Sequence, residues 1–196
     1  MELYFCDSLK VPDEQFKYYE SLLPKERLNV LDGSRRDMLR RSAVCAEGMV
    51  RSALSETISI PPQKIEFYRG QHGKPYIAEN IHFNISHSEN YAVAAVSENE
   101  IGVDVEKIRQ PKMRTAEKFC TEREKALVTD AISFFRLWTL KEAYLKCIGD
   151  GIYGGLKSVE FSALEGEIIS SAPDFRFEFA ERDSGCVIAL CEKIKG

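Results

Sequence analysis

Three acids and a lysine hold the chemistry this sequence offers. Asp104 and Glu106 lie two apart in Ile101-Gly102-Val103-Asp104-Val105-Glu106. On a strand, Ile101, Val103 and Val105 take one face and both acids take the other. Glu142 lies in Phe135-Arg136-Leu137-Trp138-Thr139-Leu140-Lys141-Glu142-Ala143-Tyr144-Leu145-Lys146. On a helix, Trp138, Glu142 and Lys146 share a face. Alone, the strand acids read as an ordinary solvated face, and Glu142 with Lys146 as a weak surface pair. Brought together, three carboxylates repel and raise one another's pKa unless a cation neutralises them. Oxygen-only ligands select a hard ion, and Mg²⁺ with waters and a substrate phosphate fits that set.

An ion held against phosphates needs counter-charges nearby. Lys141 and Lys146 flank Glu142, Lys74 sits in a Gly-Lys-Pro loop, and His87 follows Ser86 at a strand end. Arg35, Arg36, Arg40 and Arg41 cluster at the start of a long helix. Each of these, taken singly, is more often a solvated charge than a ligand.

The elements that must position them follow from periodicity. Residues 2–6 read as a strand, 13–22 as a helix, and a second helix starts near Pro24 and ends at Asp32-Gly33-Ser34. A long helix runs from about Arg35 to Glu56 on a stripe of Met38, Ala43, Ala46, Met49, Val50 and Ala53. Residues 64–69 alternate as a strand, and 82–86, 91–97 and 101–106 predict an antiparallel meander. Helices are expected over 113–130 and 133–147, then strands over 158–162, 175–180 and 186–192. Strands grouped in blocks favour an α+β fold with antiparallel sheets. The element order suggests two similar halves, without a residue-level repeat.

Length and charge bound the rest. The chain has 196 residues, 27 Lys+Arg against 31 Asp+Glu, and a net charge of −4, which argues against a nucleic-acid partner. No basic segment followed by an apolar one opens the chain, and no run of about 18 apolar residues occurs, so a cytoplasmic protein without a membrane span is expected. The six cysteines show no Cys-x-x-Cys pair and are expected as free thiols.

The motifs together have a family likeness. Gly73-Lys74-Pro75, Phe83-Asn84-Ile85-Ser86-His87-Ser88, Gly102-Val103-Asp104-Val105-Glu106, Phe119 to Glu124, and Trp138 to Lys146 occur in that order. From about residue 70 to 152 the chain resembles the 4′-phosphopantetheinyl transferases of the larger, surfactin-synthetase-activating type. The resemblance implies transfer of the phosphopantetheine arm of coenzyme A to a serine of an apo acyl or peptidyl carrier protein, with 3′,5′-ADP leaving. It implies Asp104, Glu106 and Glu142 as Mg²⁺ ligands, and Glu142 as the candidate base for the carrier serine, directly or through water, with Glu124 or a water the alternative. Lys146 matches a lysine beside the diphosphate, and Glu124 an acid near the catalytic centre. Ser86, His87, Lys74, Pro75, Arg40 and Lys141 match the coenzyme A surroundings, with Arg41 an alternative to Arg40. The implied fold is a pseudo-dimer of two α/β halves, 1–100 and 101–196, each an antiparallel sheet packed on a long helix, in a monomer with the cofactor at the junction. A usual Gly-basic-Gly turn is replaced by Gly149-Asp150-Gly151. Phe119, Phe134 and Phe135 are candidates for carrier docking, with core packing the alternative. A non-catalytic coenzyme A or carrier-binding module and a Mg²⁺-dependent phosphohydrolase are the competing readings.

Overall fold

The computed structural model describes residues 1–33, 37–151, 155–164, 167–180 and 185–194. Arg35 and Arg36 of the arginine cluster lie outside them. Two three-stranded antiparallel sheets dominate. The first joins β1 (Glu2–Asp7), β5 (Tyr91–Ser97) and β4 (His82–Ser88), in the order β1-β5-β4. The second joins β6 (Ile101–Lys107), β10 (Cys186–Lys193) and β9 (Phe175–Ala180), in the order β6-β10-β9. In both, a first strand pairs with the last, and the last with the one before it. The α+β expectation is met.

Each sheet carries a helix on one face and meets the other sheet with its second face. Ala92, Ala94 and Val96 of β5 pack with Cys45, Met49, Val50 and Ala53 of α3 (Asp37–Ile58). The alternate residues, Tyr91, Val93 and Ala95, pack with Ile101, Val103, Val105, Ile188 and Leu190 of the second sheet. The far face of that sheet lies on α5 (Ala131–Ile148) through Leu137, Leu140, Ala143, Ala189 and Cys191. Strand alternation thus makes every central strand bury both faces, each in a different core. α1 (Asp13–Ser21) and α2 (Lys25–Asp32) pack against the first half of α3.

α5 is closed at both ends. Asp130 accepts a hydrogen bond from Ser133 N–H at 2.7 Å, and the Ser133 hydroxyl accepts one from the Asp130 N–H at 3.0 Å, completing a capping box. Gly149, at φ 80°, ends the helix in the left-handed conformation glycine adopts without strain. Gly102 lets β6 lie directly on this helix, because a Cβ there would overlap the Ala143 carbonyl.

Four expectations change. The meander stops after two strands: β4 and β5 pair, but β6 leaves that sheet and forms seven residue pairs with β10, from Lys107↔Cys186 to Ile101↔Glu192. Residues 64–69 do not make a strand over their length. Arg51 takes the Pro62 and Ile65 carbonyls at 3.1 and 2.8 Å, and only β2 (Tyr68–Arg69) pairs, with β3 (Pro75–Tyr76). Residues 113–130 break into short turns around α4 (Ala116–Phe119), because Cys120 is extended and Glu124 turns back to the Thr121 N–H. The strand expected at 158–162 is β7 (Phe161–Ala163), paired with β8 (Ile169–Ser170). All six cysteines are free thiols, and no helix among the described residues is long and apolar enough to cross a membrane.

Candidate active site

The acids gather where the edge of one sheet meets the edge of the other. β4 and β6 share no backbone ladder there; side chains fasten them. Ser86 Oγ donates to Asp104 Oδ1 at 2.8 Å, Ser88 Oγ donates to Glu106 Oε2 at 2.8 Å, and Asn84 Oδ1 accepts from the Val103 N–H at 2.9 Å. The partners advance together, so the two strands run in the same direction along the seam.

α5 supplies the third side. Lys146 Nζ donates to Asp104 Oδ1 at 2.6 Å and to Ser86 Oγ at 2.9 Å. The Glu142–Lys146 pair suggested by helical spacing is therefore replaced by a longer-range one. Asp104 is buried, and burial raises its carboxyl above the usual range, with Lys146 opposing. Its other oxygen, Oδ2, is buried without a hydrogen bond. Glu142 is half-buried beside this pair. Burial pushes its carboxyl up, the Asp104 and Glu106 charges add to that, and Lys146 partly offsets them. Glu106 is also held by Arg109, whose Nη1 donates at 3.1 Å.

The three acids are thus neighbours without being a finished cluster. Among the described residues, no three His, Cys, Asp or Glu side chains stand close enough to hold an ion. Lys146 and Arg109 provide the positive charge instead. An all-oxygen donor set with one buried, unbonded carboxylate oxygen nevertheless suits a hard cation, and Mg²⁺ commonly needs only one or two carboxylates besides water and phosphate.

His87 leaves β4 on the face opposite Ser86. The residue is exposed at the surface. Desolvation by neighbouring atoms, then the Lys146 and Arg27 cations, hold its pKa below the ordinary value. Arg27, on α2, pairs with Glu47 at 2.7 Å. Its approach to His87 had no signal in the sequence.

Four of the expected site residues are bonded within the protein. Glu124 and Lys141 form an ion pair at 2.9 Å with both side chains at 0% exposure. Glu124 also accepts from the Thr121 and Phe161 N–H groups, and Lys141 donates to the Leu156 and Val159 carbonyls. Neither reaches the seam. Lys74 donates to the Ile101 and Cys147 carbonyls at 3.0 and 2.8 Å, serving a free carbonyl at the end of α5. Arg40 holds Glu20 and Asp32, and Arg41 holds the Ser8 and Val11 carbonyls. Both arginines tie α3 to the segments before it. Pro75 lies in the β2–β3 hairpin opposite Arg69, and Asp150 is exposed just beyond α5. Phe119, Phe134 and Phe135 are all buried in the α5 core. Rims of Phe134 and Phe135 nonetheless line a groove of about 370 Å³ with Glu106, Arg109 and Trp138.

This arrangement has relatives. Residues 100–191 match the family model described as the 4′-phosphopantetheinyl transferase superfamily, and residues 11–99 match 4′-phosphopantetheinyl transferase, N-terminal. The chain belongs to the 4′-phosphopantetheinyl transferase superfamily. It is 36% identical over 162 residues to the 4′-phosphopantetheinyl transferase gsp of Aneurinibacillus migulanus, covering 74% of this chain and 65% of that protein. The chain thus spans just under two thirds of that relative's length. It is 32% identical over 167 residues to the 4′-phosphopantetheinyl transferase HetI of a Nostoc species, covering 77% and 70%. A crystal structure of Thermotoga maritima holo-[acyl-carrier-protein] synthase overlaps 50% of this chain and 64% of its own, with a TM-score of 0.43 and 23% identity.

Proposed function

We propose that this chain is a monomeric, cytoplasmic enzyme that moves the 4′-phosphopantetheine arm of coenzyme A to a serine of an apo acyl or peptidyl carrier protein, with Mg²⁺ required and 3′,5′-ADP leaving. The observation that carries the reading is the seam itself: Lys146 and Ser86 on one oxygen of buried Asp104, the other oxygen open, and Glu142 alongside.

Attack on a diphosphate needs charge neutralisation, positioning and a base for the incoming hydroxyl. Asp104, Glu106 and Glu142 are the residues that would hold Mg²⁺, which when bound neutralises charge on the diphosphate oxygens. Lys146 adds a second counter-charge to those oxygens. Ser86 and His87 bind coenzyme A phosphates, and Arg27 adds positive charge beside His87. Glu142 accepts the carrier serine's proton directly or through water. Arg40, Lys74, Lys141 and Glu124 support the scaffold around the site, because their charged groups are already bonded within the protein. Pro75 limits the loop bearing Lys74. The halves 1–100 and 101–196 are read as pseudo-twofold copies joined at the seam. The shared strand order and the meeting of the two family matches at residues 99 and 100 support this.

The test is a mass measurement on a panel of apo carrier proteins incubated with this protein, Mg²⁺ and coenzyme A. A phosphopantetheine mass gain is expected, and no gain on any carrier would overturn the reading. Glu142→Ala is expected to abolish the gain while keeping the fold by circular dichroism; retained transfer would remove Glu142 from the chemistry. Coenzyme A binding indifferent to Mg²⁺ would point to a binding module, and phosphopantetheine released into water without a carrier to a hydrolase.

A further inference from the structure

The seam contains a repeated device. Ser86 and Ser88 lie two apart on β4, and Asp104 and Glu106 lie two apart on β6. Each serine donates to the acid 18 positions later, at 2.8 Å in both cases. Each acid then receives a cation on the same oxygen: Asp104 Oδ1 from Lys146 at 2.6 Å, and Glu106 Oε2 from Arg109 at 3.1 Å. Asp104 Oδ2 is buried without a hydrogen bond, and both the serine and the arginine bonds to Glu106 fall on Oε2. Both acids therefore show the same pattern, one oxygen anchored by a serine and a cation together.

Ser88 is the half of this device without an assigned task. Its Oγ also accepts from the Lys107 N–H at 3.4 Å, so the hydroxyl joins the Glu106 carboxylate to the backbone one residue further on. Glu106 has two more side-chain torsions than a serine and is only partly buried, so without an anchor its carboxylate samples several rotamers. Arg109 is itself held, by the Lys107 carbonyl at 3.1 Å and over the Phe135 ring, but its side chain is half exposed. The Ser88 hydroxyl, on a short side chain of a strand, adds a second and more closely fixed anchor for the same carboxylate oxygen.

We infer that Ser88 is a positioning residue that presents the Glu106 carboxylate to the cation, as Ser86 does for Asp104. The inference rests on the proposed role of Glu106 as a Mg²⁺ ligand and deepens it. Partners of ligating carboxylates commonly change metal affinity by about ten- to a hundredfold when removed.

The test is a titration with Mn²⁺, read by electron paramagnetic resonance, on the full chain with coenzyme A present. Ser88→Ala is expected to weaken Mn²⁺ binding by about ten- to a hundredfold, and Ser88→Thr, which keeps the hydroxyl, to restore it. In the carrier assay, the loss of transfer by Ser88→Ala should be largest at low Mg²⁺ and shrink as Mg²⁺ is raised. Thermal melts check that each variant is folded. If the alanine variant melts below the assay temperature, Ser88→Cys, similar in size with a weaker donor, takes its place. Glu106→Ala separates the two layers of the argument. If it loses Mn²⁺ while Ser88→Ala binds as tightly as the parent, the role of Ser88 is overturned and the metal reading stands. If Glu106→Ala itself binds Mn²⁺ like the parent, the metal reading falls and the role of Ser88 falls with it.

Discussion

At the scale of single residues, the sharpest division is between neighbours on α5. Lys141 and Glu142 are adjacent in sequence, yet consecutive helical residues point about 100° apart. Glu142 therefore joins the seam, while Lys141 enters the core and meets Glu124. Breaking one side of a fully enclosed ion pair leaves a charge in low dielectric. Lys141→Met should cost about 3–5 kcal/mol in urea unfolding. Adding Glu124→Gln should recover much of that, and a double variant no more stable than the single would contradict the structural role given to the pair. Strand alternation put Asp104 and Glu106 on one face, but spacing alone did not say that Glu142 would lie beside them. The burial of Lys141 was not legible either, because its partner is 17 positions away and helical periodicity carries no information about a loop that folds back. The internal bonds of Arg40 and Lys74 were not legible for a related reason: a positive charge in a sequence does not reveal which carbonyls and carboxylates of the same chain will reach it.

At the scale of elements, the site depends on how closely β6 lies on α5. Gly102 sets that approach, two residues before Asp104 and against Ala143 and Cys147. A methyl group there cannot be relieved by a side-chain rotation, since the atoms it meets are helix backbone. Gly102→Ala is expected to destabilise the protein by roughly 1–3 kcal/mol and to reduce carrier modification at temperatures where the variant is still folded. A variant with the parent's melting temperature and transfer rate would show that α5 can move aside freely. The strands and long helices were readable from their periods. The partner of β6 was not: alternation says which residues share a face but not which strand lies alongside, and a meander is the simplest guess for three successive strands.

At the scale of the molecule, the two sheets are held together by the apolar layer between them and by a polar fastening at its rim. Glu192 of β10 accepts from Ser97 of β5, is approached by Asn99 and pairs with Arg176 at 2.8 Å. Burial pushes the Glu192 carboxyl up, but the Ser97 bond, Arg176 and Asn99 together outweigh it and leave it below the usual range. A group whose folded pKa is depressed stabilises the fold above its unfolded pKa and loses that contribution as pH falls through the folded value. Glu192→Gln should therefore melt below the parent at pH 7, and the gap should close as pH falls below about 4.3, the ordinary glutamate value. An unchanged gap down to pH 3 would show that the carboxylate charge is not what matters.

The fastening between β4 and β6 differs in kind from the ladders inside each sheet. Peptide hydrogen bonds persist whatever side chains the gene encodes, whereas this joint is composed of Asn84, Ser86 and Ser88. Single codon changes can therefore tighten or loosen this joint without removing a peptide ladder from either sheet. In a lineage of such proteins, how firmly the two sheets are coupled at this edge would be open to inheritance and selection separately from the ladders within them.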